Sequence, residues 1–135
     1  MNYKIEDIEG IGSAYGQRLE SVGIKDTESL LVHCRTKEGR QNIVLQTDIP
    51  ETLILTWVNH ADLMRINGVG GQFAELLEAA GVDSVKELAQ RNAENLYTKM
   101  TEVNDSLGLS GRTASLDQVM YMINQAKKLD PIITH

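Results

Sequence analysis

His33, His60, His135 and Cys34 are the side chains best suited to metal or nucleophile chemistry in this 135-residue chain. His33 and Cys34 are adjacent, and on a helix adjacent residues point about 100° apart. His60 and His135 lie far from both, so no metal-ligand spacing forms. Cys34 reads as a half-buried small hydrophobe. No paired carboxylates, triad or phosphate loop emerges; no catalytic residue, metal site or cofactor is expected, and an enzyme is not. Trp57 lies in an apolar run and reads as a core anchor rather than a platform for bases. Lys4, Lys25, Arg35, Lys37 and Arg40 read as solvated surface. The amides of Asn59 and Asn124 are expected to satisfy nearby loop backbone.

The remaining pattern is a glycine turn that occurs twice. It reads Ile8-Glu9-Gly10-Ile11-Gly12-Ser13 and, 58 residues later, Ile66-Asn67-Gly68-Val69-Gly70-Gly71. The same shift pairs Tyr15 with Phe73, Leu19 with Leu77, Gly23 with Gly81, Ile24 with Val82 and Leu30 with Leu88. Glycine reaches positive φ without a Cβ clash, so each copy predicts a tight reversal between two helices.

The elements that must position these turns follow from apolar spacing. A short helix is predicted over Tyr3 to Ile8 and a second over Ser13 to Val22, with Gly23 at its C-terminal end. Asp26 caps a third around Leu30 and Leu31. Lys37 to Gln46 is helical, with Ile43, Val44 and Leu45 apolar. Thr47-Asp48-Ile49-Pro50 then stops one helix and caps the next, from about Pro50 to His60, which reads as buried and central. In the second copy Ser84-Val85-Lys86-Glu87 and Ser115-Leu116-Asp117-Gln118 fit capping boxes. The last helix carries Leu116, Val119, Met120, Ile123 and Ala126, widened by Tyr121 and Met122, and should be central as well. Trp57-Val58-Asn59-His60-Ala61 aligns with Met122-Ile123-Asn124-Gln125-Ala126 at a shift of 65, so about seven residues were gained between Ala89 and Ser115. Ser106 to Gly111 is the surface loop expected to hold them. Lys127 and Lys128 complement the dipole of the last helix, and Pro131-Ile132-Ile133 is expected to fold back on the core. The reading is all-α and internally duplicated, with halves at about 1–60 and 61–135 forming one compact unit.

Thirteen basic against nineteen acidic residues give a net charge of −6, which opposes non-specific attraction to phosphate. A single cysteine allows no internal disulfide and suits a reducing compartment. The first residues have neither the cationic nor the apolar region of a signal peptide, and no apolar run reaches the ~18 residues of a membrane span. A cytoplasmic protein without membrane attachment is the expectation.

The repeated unit resembles a helix-hairpin-helix motif: two short helices, an h-x-G-h-G turn, and a small residue (Gly16, Ala74) four positions after the second glycine. The resemblance implies a SAM/HhH-like bundle. Over nearly its full length the chain also resembles an uncharacterised family, the domain of unknown function numbered four-three-three-two. That match is carried by the run from Trp57 to Ile66 and on through Gly68-Val69-Gly70, by Val85 to Asn92, and by Glu102-Val103-Asn104. The helix-hairpin-helix resemblance implies contact with nucleic-acid backbone through main-chain N–H groups, here of Gly10, Ile11, Gly12 and Ser13, and of Gly68, Val69, Gly70 and Gly71. Orphan donors at a positive helix end make such a site. In some members it also implies a monovalent cation on hairpin carbonyls, here of Glu6, Ile8 and Ile11, and of Met64, Ile66 and Val69; a structural role for these carbonyls is preferred. Where DNA-binding members carry Lys or Arg beyond the hairpin, this chain has Arg18 alone. Residues 1–31 hold three basic and six acidic side chains, and 62–90 hold two and five. Two functions therefore stand open: a non-catalytic module making weak, sequence-independent contact with nucleic-acid backbone, or a protein-interaction or scaffold module that has lost phosphate binding.

Overall fold

A computed structural model describes residues 2–108 and 114–135. The order is a 3-10 turn (Ile5–Asp7), then α1 (Gly12–Glu20), α2 (Thr27–Cys34), α3 (Lys37–Thr47), α4 (Glu51–Leu63), α5 (Gly71–Ala79), α6 (Val85–Leu88), α7 (Ala93–Leu107) and α8 (Leu116–Ala126). The described residues are all-helical, without a strand. No helix among them is long and apolar enough to cross a membrane.

The first predicted helix is only a turn, because its start is drawn elsewhere. Ile5 N–H donates to the Lys25 carbonyl (3.0 Å), and Thr27 N–H to that of Tyr3 (2.9 Å), around an isolated antiparallel bridge between Lys4 and Asp26. α1 ends as its glycine predicts. Gly23 takes φ +88°, and the chain closes back with Ile24 N–H on the Leu19 carbonyl at 2.9 Å. Gly81 (φ +97°) repeats this after α5, with Val82 N–H on Leu77 at 2.9 Å.

Side-chain caps start five helices. Asp26, Thr36, Ser84, Asn92 and Ser115 each accept an N–H from the first turn. The Ser115–Gln118 box is complete. At α6 Ser84 takes the Glu87 N–H, but the Glu87 carboxylate pairs with Arg91 at 2.8 Å instead. Neither Thr47 nor Asp48 caps α4. Asp48 adopts a left-handed conformation that ends α3 (φ 59°), Thr47 Oγ1 donates to the Ile43 carbonyl, and Pro50 precedes α4 without a side-chain cap.

α4 is the buried centre, with Ile54 and the whole run Trp57–Leu63 below the surface. It packs on α2, α3 and α5, while α8 packs on α6 and α7. α8 is not its equivalent in burial. Val119, Met122, Ile123 and Ala126 face inward, whereas Met120 and Tyr121 are 46% and 56% exposed. A helix covered on one side buries one stripe only. Leu45, read as apolar stripe, is likewise 84% exposed on α3. α3 has 11 residues and α7 has 15. Ser106 and Leu107 of the expected loop are the last residues of that helix, and Leu109, Ser110 and Gly111 lie outside the described residues.

Candidate functional site: the two glycine turns

In the first turn Gly10 (φ +89°) and Gly12 (φ +65°) both occupy the left-handed region, so the backbone there needs glycine. Ile11 is 2% exposed and pins the turn to the core, while Gly10, Gly12 and Ser13 face solvent. α1 begins at Gly12 with no side-chain cap. The N–H groups of its first turn therefore point outward at the positive end of the helix dipole.

Trp57 backs this turn, and Tyr15 and Arg18 stack on it in succession. Trp57, 2% exposed on α4, brings its indole Nε1 to 3.9 Å from where a Gly10 Cβ would lie. Tyr15 tilts against Trp57, with ring centroids 5.2 Å apart at 58°. The Arg18 guanidinium lies 5.6 Å above the Tyr15 centroid, within cation–π range. Arg18 is thus held on the α1 face by an aromatic pair that anchors in the core. Carboxylates crowd the same region. Glu6 folds over Gly16, where a Cβ would meet its Oε1 at 2.8 Å. This explains the small residue expected at that place, although its neighbour is a side chain of the 3-10 turn rather than a second helix.

The second turn departs from the first. Gly68 matches Gly10 at φ +92°, but Gly70 has φ −92°. α5 also starts without a side-chain cap. However, Gly71 backs onto the first turn: a Cβ there would overlap the Asp7 carbonyl oxygen and reach 3.5 Å from Glu9 Cγ. Gly70 and Gly71 are half-buried and Val69 is buried. Asn67 is gripped on both main-chain groups by Gln125, with its N–H on Oε1 at 3.0 Å and Nε2 on its carbonyl at 3.2 Å. Gln125 does what Asn124 was expected to do; Asn124 is exposed. The carbonyls of Ile8 and Ile66 each accept a turn bond, from Ile11 N–H at 3.4 Å and Val69 N–H at 3.1 Å.

The remaining sequence candidates scatter. His33 is exposed, with Nδ1 2.8 Å from the Ser29 carbonyl. His60 is buried, its Nε2 2.7 Å from Glu78 Oε2 across α4 and α5. His135 Nε2 lies 3.2 Å from Asn59 Oδ1. Among the described residues no three His, Cys, Asp or Glu side chains are grouped to hold a metal ion. Cys34 is fully rather than half buried, and burial pushes its thiol up to about 12. Arg40 is a clear departure from the solvated face: it is 2% exposed and its guanidinium donates to the Cys34 carbonyl (3.0 Å) and the Thr134 carbonyl (2.8 Å). Lys4, Lys25, Arg35 and Lys37 are exposed as expected. The Arg18–Tyr15–Trp57 stack was half visible beforehand, because Tyr15 and Arg18 are three apart on one helix face. Trp57 comes from another helix, and no spacing announces it.

Comparison with known proteins adds one finding. The family model described as Domain of unknown function (DUF4332) matches residues 9–129, and the chain belongs to that family. No curated protein and no solved structure matches it.

Proposed function

We propose that this DUF4332 protein is a non-catalytic, cytoplasmic binding module, a tandem helix-hairpin-helix whose first turn makes weak, sequence-independent contact with nucleic-acid backbone. Support for the tandem reading comes from the paired backbone states of Gly10 with Gly68 and Gly23 with Gly81. The packing of α4 on α2 and α3, matched by that of α8 on α6 and α7, adds to it. The observation that carries the binding reading is the contrast in caps. Five helices close their N-termini with side chains, whereas α1 starts without one at the exposed Gly12 and Ser13 and carries Arg18 in its last turn, over the Tyr15 ring. An anion is the natural occupant of such an end. α5 is set aside as the contact point because Gly71 is already packed on Asp7.

Affinity on this reading is low, since one arginine supplies little counterion release and Glu6, Asp7 and Glu9 repel phosphate. The test is a titration of labelled single- and double-stranded DNA at low salt and again at ~200 mM. Binding is expected at low salt and lost at high salt. Ser13→Asp places a carboxylate in the first turn of α1, where it favours the helix by about 0.3–1 kcal/mol yet repels phosphate. It should therefore abolish binding while the melting temperature holds or rises. Arg18→Ala should weaken binding and reduce the salt slope by about 1. An absence of binding at low salt would defeat this reading in favour of a protein-interaction or scaffold module, which the acidic surroundings of both turns favour.

A further inference from the structure

Residues 130–135 leave the end of α8 and cross back over the helices that precede them. Pro131 forbids a helical continuation and biases Asp130 towards extended backbone. Along the track, Arg65 Nη2 donates to the Asp130 carbonyl at 2.9 Å. Arg40 Nη2 donates to the Thr134 carbonyl at 2.8 Å, and Thr134 N–H donates to the Arg35 carbonyl at 2.9 Å. His135 meets Asn59 at 3.2 Å, and Ile133 packs against the core.

The receiving groups belong to the body of the fold. The Cys34 and Arg35 carbonyls end α2 and lack helical partners. Arg40 satisfies the first from its buried position and turns its other nitrogen towards the segment. A buried guanidinium needs acceptors, so this nitrogen is set to receive a carbonyl. Three of the five groups read on the segment are main-chain: the Asp130 and Thr134 carbonyls and the Thr134 N–H. Open space borders the segment on both sides: a cleft of about 440 Å³ between Leu31, Val32, Leu129 and Ile132, and one of about 360 Å³ beside Asp62, Ser84 and Lys86. The segment lies in a furrow with its backbone held and its flanks free.

We propose that this furrow is a peptide-binding groove that the chain fills with its own residues 130–135. It accepts in trans an extended peptide with a branched aliphatic residue directly before the residue whose N–H and C=O are both read. Main-chain hydrogen bonds supply the affinity and the core contact of Ile133 the selectivity, as in other modes of extended-peptide recognition.

The probe is an end-capped synthetic peptide with the sequence of residues 128–135. It is titrated into the ¹⁵N-labelled full chain carrying Thr134→Pro, which removes the N–H that donates to Arg35. Saturable shifts are expected at Arg35, Arg40 and Asn59, with a dissociation constant on the order of 1 mM. The wild-type chain should bind at least about twofold more weakly, because its own segment competes at a millimolar effective concentration. A peptide with proline at the Thr134 position should shift nothing. Absent shifts on the folded variant, or equal shifts on variant and wild type, overturn the proposal. Ile133→Asp, read by the same criteria, replaces Thr134→Pro if that chain does not fold.

Discussion

At the residue scale, Arg18 and Arg40 carry the same charge to different ends. Arg18 rests on the Tyr15 ring at the surface, while Arg40 is buried and ties α2 to residue 134. Nothing in the local sequence separates them, since burial depends on which helices close over a position. Cys34 shows the same dependence and allows a pH test. Burial raises its thiol from an ordinary 9.0 to about 12, so above pH 9 the unfolded chain gives up a proton that the folded chain retains. Fewer protons on the unfolded state mean that this contribution to stability is complete below pH 9.0 and is lost as pH rises towards 12. Urea melts between these limits should show wild type losing stability relative to Cys34→Ala as pH increases; a constant difference would contradict the assigned burial. At the acid end Asp26 behaves oppositely. The Ser29 hydroxyl and N–H hold its carboxyl below its ordinary 3.8, so its cap weakens as pH falls beneath that value.

At the scale of elements, two neighbouring glycines separate backbone need from packing need. Gly70 has φ −92° and nothing within 4 Å of where its Cβ would lie, whereas Gly71 is pressed on the Asp7 carbonyl. Gly70→Ala should be neutral or stabilising by up to about 1 kcal/mol through the unfolded chain. Gly71→Ala should cost about 1–3 kcal/mol despite better helix propensity, because the overlapping atom is backbone and cannot swing aside. Paired thermal melts check the contrast. Gly39 in α3 is confined in the same manner against the His33 carbonyl, which sets the tight corner between α2 and α3. Much of this level was legible in the sequence. The caps at Asp26, Ser84 and Ser115 and the glycine ends of α1 and α5 depend on residues within a few positions of each other. The first helix was misjudged because Tyr3 and Ile5 are engaged by residues 25 and 27, beyond any local window.

At the scale of the molecule, a few polar clips join distant parts of the chain. His60 meets Glu78 between α4 and α5, Arg65 bridges the buried Asp62 to Asp130, and Gln125 holds Asn67. The free Asp62 oxygen also accepts the Val85 N–H at 2.8 Å, so one carboxylate sets both a loop and the start of α6. Gln125→Ala should cost about 1 kcal/mol and speed hydrogen exchange at the Asn67 amide, with the helical content unchanged. Exchange at Asn67 equal to wild type would show that the clamp contributes nothing in solution.

By itself the sequence determined that the described residues are helical, where most helices begin and end, and most of the apolar residues that enter the core, though not that Leu45, Met120 and Tyr121 stay outside it. Each of these rests on periodicity, capping or glycine chemistry over a few residues. The tertiary structure alone decided that one glycine turn is open while the other is packed against it. It also decided that Arg40 is buried beneath the segment 130–135 and that Trp57 supports Arg18 through Tyr15. Those facts depend on contacts between residues tens of positions apart, which local patterns do not encode. Charge and turn chemistry could be read residue by residue; accessibility, on which binding depends, emerges when the helices pack.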